Sequence, residues 1–199
     1  MIEKKYQKQI IFGIGAVAIV IFAVVLARAM LYSPTQDLTV PTAADASAPI
    51  GQPSDPVRLA IPALHIDTKV QYVGLTSSGK MAVPDNFTDV GWYKYGTIPG
   101  QTGSAVIAGH VDDGLSLPGV FKHLDQLKVG DDIYITTQDN QTLHFVMTGS
   151  QAYPKDAATD QIFNQKDGQL LRLITCTGTW LPDQRTHDQR LVVTAILKK

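Results

Sequence analysis

Cysteine is almost missing from this chain. Its 199 residues hold one, Cys176. A single thiol excludes an internal disulfide, and with five scattered histidines it leaves no Cys/His spacing of the zinc type. A basic excess is missing too. Seventeen Lys and Arg stand against eighteen Asp and Glu, a formal net charge of −1, so there is no basic surplus of the kind that nucleic-acid binding needs. No acidic loop has the ligand pattern of a calcium site. We therefore expect no metal and no cofactor. Internal repeats are absent, and signals for long helices are few.

One long hydrophobic run is present. Ile10 to Ala27 is unbroken apolar or small sequence, preceded by Lys4, Lys5 and Lys8. About 20 such residues cross a bilayer core. The run is longer than the ~7–15 residues usual in a cleaved signal peptide, although Ala27-Arg28-Ala29 fits a cleavage pattern. The expectation is a single-pass anchor over 10–32 in contact with the lipid bilayer. Residues 1–9 would be cytoplasmic and the remainder extracellular, at the cell membrane. Residues 33–56 carry five prolines and neither Lys nor Arg, and read as a semi-extended linker.

Residues 57–199 are then the folded domain, long enough for one core. Short alternating or apolar runs recur: 57–61, 69–73, 105–108, 133–137, 142–147, 170–175 and 191–197. Gly, Pro, Asn and Asp separate them. Strands at this spacing predict a mostly β domain, an antiparallel barrel or sandwich. Two short helices are expected, near 120–127 and 157–163.

Three of these runs carry one reactive side chain at an end: His110 after Ala105–Ala108, Cys176 after Leu170–Thr175, and Arg190 before Leu191–Val193. Each residue alone has an ordinary reading: a buried small hydrophobe, a loop imidazole, a surface strand cation. Together they supply a nucleophile, a proton donor for a leaving amine and an oxyanion donor. If Leu170–Cys176 and Arg190–Leu197 pair as antiparallel neighbours, Cys176 falls beside Arg190. Arg185 is the rival for the arginine role. His65, His123, His144 and His187 show no partner pattern. Asp112 and Asp113 follow His110 and read as a solvated loop ahead of the alternative that they tune its pKa, and Trp180 reads as either packing or the wall of a groove.

Across residues 57–199 these motifs resemble the sortases, the membrane-anchored cysteine transpeptidases of Gram-positive surfaces. The cysteine motif of that family is Thr-Leu-x-Thr-Cys; here it is Arg172-Leu173-Ile174-Thr175-Cys176, with Arg172 in place of the first Thr. Ala108-Gly109-His110 and Arg190-Leu191-Val192-Val193 match the histidine and arginine strands. Ile61–Leu64, Val90–Tyr93, Ala108–Asp112, Tyr153–Asp156 and Leu171–Cys176 are most similar to class F. The resemblance implies a closed eight-stranded β-barrel with short helices, preceded by one transmembrane helix. It also implies attack by Cys176 on the Thr–Gly bond of an LPXTG-like sorting signal, with His110 as acid and Arg190 at the oxyanion. The implied partners are surface proteins bearing a C-terminal sorting signal and an amine acceptor, either a cell-wall precursor or a pilin lysine. Two other readings stand beside it. One is a different cell-wall cysteine peptidase or transpeptidase, although Thr175 and Thr177 do not give the flanking pattern of the L,D-transpeptidases. The other is a tethered, non-enzymatic β-barrel that binds a partner.

Overall fold

The computed structural model describes residues 14–27, 54–113, 117–157 and 159–198. The chain divides into two units, Met1–Tyr32 and Ser33–Lys199.

In the first unit a helix, α1, covers residues 14–27 and exposes Ile14, Val17, Ile19, Val20 and Phe22. It corrects the expected localisation. Its described residues, at 1.5 Å per residue, span about 21 Å, against the ~30 Å hydrocarbon core. Among the described residues no helix is long and apolar enough to cross a membrane. A single-pass anchor over 10–32, with a cytoplasmic N-terminus and an extracellular catalytic domain, is therefore not supported. Residues 10–13 and 28–32, and the expected linker up to residue 53, lie outside the described residues.

In the second unit eight strands close into a barrel: β1 Pro56–Ile61, β2 Ile66–Val73, β3 Val90–Tyr93, β4 Gly103–Ala108, β5 Asp132–Thr137, β6 Thr142–Pro154, β7 Gln169–Leu181 and β8 Thr186–Leu197. Their order around the barrel is β1-β2-β3-β4-β7-β8-β6-β5. The expected all-antiparallel pairing is corrected at two junctions, because β2 runs parallel to β3 and β4 parallel to β7. The short apolar runs at 69–73 and 105–108 carry no mark of direction. The helical segments of this unit are small: 3-10 turns at Pro62–Leu64 and Leu124–Gln126 and the α-helix α2 at Asp160–Phe163.

Period-two alternation sorts the strands onto two faces. Leu59, Ile61, Ile107, Ile133, Ile135, Phe145, Leu171, Leu173 and Val193 join one buried cluster, plugged by Phe121 and Leu124. Val106, Ala108, Ile174 and Val192 fall on the opposite face of β4, β7 and β8. There they form a second cluster with Met81, Tyr93, Ile162 and Phe163. So the β4–β7–β8 part of the wall is buried on both sides. This explains why 105–108 and 170–174 read as continuous apolar runs rather than alternating ones.

The β5–β6 hairpin turns at Asn140, whose φ of 61° is in the left-handed region that Asn tolerates. The β7–β8 hairpin is interrupted by a bulge between Thr177 and Trp180. Gly178 sits there at φ +81°, and a Cβ on it would lie 2.1 Å from Asp188 Oδ1. That oxygen accepts from the Thr179 N–H at 2.7 Å, so the bulge needs a glycine.

Candidate active site

β7 and β8 place Cys176 directly opposite Arg190. On the other side of β7, β4 runs in parallel register with Ala108 level with Ile174. The Gly109 N–H donates to Ile174 O at 3.0 Å, and the Thr175 hydroxyl donates to Gly109 O at 2.8 Å. These bonds carry the ladder past the end of β4. Continuing the register by one more residue sets His110 level with Cys176. The three residues picked out by sequence thus lie in one row across three neighbouring strands, 66 and 14 positions apart in the chain. The next row is Ala108, Ile174 and Val192, all apolar.

The row is sealed. His110, Cys176 and Arg190 are each no more than 2% exposed. Burial pushes the Cys176 thiol pKa up. Arg190, the Thr186 hydroxyl and the His187 main-chain N–H oppose that rise. Burial pushes the His110 imidazole pKa down, against the Pro84 carbonyl and the Asp112 carboxylate. Both shifts favour a neutral thiol beside a neutral imidazole. His110 Nε2 lies 3.1 Å from Pro84 O, and the Phe87 ring leans on the imidazole at 5.3 Å between centroids.

The Arg190 guanidinium is fixed by its own strand. Nη1 donates to His187 O and Gln189 O, and Nη2 to Thr186 Oγ1, each at 2.9 Å. Nε is buried without a partner. Thr186 therefore stands between the two groups, accepting from Arg190 and donating toward the Cys176 sulfur. Arg185 is elsewhere. It is exposed in the hairpin turn, with φ 52° and its N–H donating to Pro182 O.

Sequence reasoning missed several neighbours. Asp112 is not a solvated loop residue. Its Oδ2 lies 3.6 Å from Lys122 Nζ and 3.9 Å from His187 Nε2, and it acts electrostatically on His110, Cys176 and His187. His187 is paired with Trp180 across the hairpin, and the rings meet edge to face at 5.2 Å. The hairpin register around Pro182-Asp183 was the available signal for that pair. Asp112 was signalled by its place two residues after His110; nothing local pointed to Pro84 or Phe87, which approach through tertiary folding. Arg172, the departure from the family motif, lies on the same face as Cys176, four residues before it. Its guanidinium donates to Thr194 Oγ1 and Gln165 Oε1, and more weakly to Ser104 Oγ at 3.4 Å. It thereby ties the segment between β6 and β7 to the sheet. His144 is held by Asp132 at 2.6 Å and stacks on Tyr134, on the other side of the barrel. Among the described residues no cluster of three or more His, Cys, Asp or Glu is placed to hold a metal ion.

Residues 59–198 match the family model described as the sortase domain. No curated protein matches the chain. Among solved structures, sortase C-1 of Actinomyces oris is 27% identical, with a TM-score of 0.54 over 73% of this chain and 75% of that one. Sortase A of Corynebacterium diphtheriae, a lid mutant, is 22% identical, with a TM-score of 0.56 over 75% and 73%. Sortase C of Clostridium perfringens with the C-terminal cell wall sorting motif is 20% identical, with a TM-score of 0.56 over 74% and 73%. The last two likenesses are of fold alone.

Proposed function

The chain belongs to the sortase family, and we propose that it is a cysteine transpeptidase that cleaves an LPXTG-like sorting signal and passes the acyl product to an amine. The carrying observation is the row His110, Cys176, Arg190 on adjacent strands, with Cys176 and Arg190 directly paired. Cys176 attacks the carbonyl of the scissile Thr–Gly bond. Arg190, fixed by three hydrogen bonds, stabilises the oxyanion. His110 protonates the departing glycine amine. The resulting thioester is resolved by a primary amine, from a cell-wall precursor or a pilin lysine. The stretches resembling class F support placement in that group. The expected division into a linker over 33–56 and a catalytic domain over 57–199 is moved at its boundary, because Pro56 is already in β1 and Asp55 is bonded to the barrel.

The reactive state is the minor one. Attack needs a thiolate beside an imidazolium, whereas burial favours the neutral pair. The kcat/KM profile is therefore a bell. Its acid limb falls below the ordinary imidazole value of ~6.5 and its alkaline limb above the ordinary thiol value of ~8.5. A rate that climbs through the alkaline range without turning down would remove His110 from the acid role.

The deciding experiment incubates the full chain with a library of sorting-motif peptides and reads products by mass spectrometry. The expected result is cleavage after Thr and a peptide adduct on Cys176, both lost in Cys176→Ala with melting temperature nearly unchanged. Cleavage that survives the substitution would refute the enzyme reading. A Cys176 that also resists small alkylating agents would favour the non-enzymatic barrel.

A further inference from the structure

A second histidine lies beside the Cys176–Arg190 pair and faces a carboxylate that it does not touch. His187 Nε2 faces Asp112 Oδ2 at 3.9 Å, too far for a hydrogen bond. The same carboxylate oxygen already has a primary ammonium, Lys122 Nζ, 3.6 Å away. Trp180, half-exposed, covers the imidazole edge to face and offers an apolar wall to an alkyl stem. His187 is 9% exposed, and its Nδ1 is buried with no hydrogen-bond partner. An unsatisfied buried nitrogen is a cost that a packing role does not explain. Through its own main-chain N–H the residue is tied to the Cys176 sulfur. The main chain of His187 therefore sits next to the sulfur, and Asp112, which faces its imidazole, acts on the same sulfur.

We propose that Asp112 and His187 form the acceptor subsite: Asp112 holds the ammonium of an incoming primary aliphatic amine, and His187 Nε2 takes its proton. This rests on the transpeptidase reading above and divides the two half-reactions between two histidines. His110 serves acylation, its ring lying between Pro84 O and Phe87. His187 serves transfer. The ammonium gives one proton to Nε2, and the freed lone pair attacks the thioester carbonyl. The C–N bond forms, and the C–S bond breaks with its electron pair going to sulfur. A second proton from the nitrogen passes to that sulfur and regenerates the thiol. His187 then releases its proton to water. The charged groups acting on His187 are Asp112, Arg190, Lys122 and Asp188. Burial outweighs Asp112 and holds the imidazole pKa below its ordinary value, so it is a neutral base at neutral pH.

The test uses the full chain and a fluorogenic sorting-motif peptide, with triglycine or hydroxylamine as acceptor. Hydroxylamine attacks at neutral pH without first losing a proton. For His187→Gln, transfer to triglycine at pH 7 falls by about 10². Release of the leaving peptide stays within about a factor of three, and hydroxylamine resolves the thioester nearly as fast as in the parent. Raising the pH until triglycine is neutral restores transfer. Equal loss in acylation and transfer, or full transfer by the variant, overturns the proposal. Should the variant fail to fold, the parent decides. Its transfer-to-hydrolysis ratio should rise with pH through the imidazole range, below the ionisation of triglycine itself. A ratio that follows only triglycine's ionisation overturns the acceptor role. A parent that forms no thioester refutes the transpeptidase reading itself, and this proposal with it.

Discussion

Thr186 links the Arg190 cation to the Cys176 thiol. Its hydroxyl accepts from Arg190 Nη2 and donates toward the Cys176 sulfur, so the guanidinium polarises an O–H aimed at the thiolate. Thr186→Val removes that donor. The thiol pKa should rise further, and the pH curve of alkylation by iodoacetamide should move to the alkaline side. An unmoved curve would mean that the hydroxyl contributes nothing to thiolate formation. Arg190→Lys keeps the charge and loses the fork. Loss of one oxyanion donor costs roughly 10²–10³ in rate, so a drop of that order in peptide cleavage is expected, while Arg185→Lys, in the exposed turn, is nearly silent. The reverse outcome would reassign the role. Gly119 is a residue of a different kind. A Cβ there would lie 2.4 Å from the main-chain oxygen of His110. The neighbouring bonds Gly119 N–H to Val111 O and Phe121 N–H to His110 O leave little room to yield. Gly119→Ala should displace His110 and reduce cleavage sharply at a modest cost in melting temperature. Normal kinetics in this variant would show that the backbone gives way elsewhere.

At the scale of elements, the first strand begins earlier than its sequence suggests. Pro56 already pairs with Thr137, Asp55 is buried, and the Gln138 N–H donates to Asp55 O at 2.9 Å. Two chains, one starting at Ser54 and one at Val57, should therefore differ. The shorter one should be less stable by about 1–2 kcal/mol, for the lost hydrogen bond and pairing. Equal urea midpoints would show that this edge carries no stability. The same strand shows how legibility works in this chain. The strands at 57–61, 133–137, 142–147, 170–175 and 191–197 were readable because β-branched and apolar residues run between turn formers. β3 was not, since Val90-Gly91-Trp92-Tyr93 is only four residues and includes a glycine. The far halves of β7 and β8 were not either, because Gly178 and the Thr- and Asp-rich tips look like loop. The pairing of Cys176 with Arg190 was readable, as two runs joined by a Pro-Asp turn predict a hairpin and hence a register. His110 was legible as a reactive residue, but its place beside β7 depends on a parallel pairing 66 residues distant. Asp112 and His187 were illegible as a pair for the same reason, and only the closed barrel brings their elements together.

For the whole molecule, acid stability and catalysis pull against each other. His110 and His187 both have imidazoles held neutral by burial. The unfolded chain binds more protons than the native one once pH falls below ~6.5. Their contribution is complete above that value and is lost as pH drops through the depressed native pKa values. Cys176, raised by burial, does the opposite, and stability declines as pH climbs past ~8.5. Melting temperature should be flat between these limits and fall on either side, with the acid slope reduced in His110→Gln. An acid slope equal to the parent's would show that His110 titrates alike in both states.

The parallel junction of β4 with β7 has a consequence in time. During synthesis His110 emerges long before Cys176, and Arg190 after both. Joining the two strands requires closing a loop of some sixty residues, and non-local pairing of this kind folds slowly. Until that closure Cys176 is an ordinary thiol, without Arg190 or Thr186 to favour its anion. An incomplete chain therefore carries Cys176 without those neighbours, and the surroundings of the thiol change when the wall is finished. Pulses of an alkylating agent during refolding should label Cys176 early at the rate of a free thiol. As the row forms, the pH dependence of labelling should change from that of a free thiol to that of the folded protein, before the first peptide is cleaved.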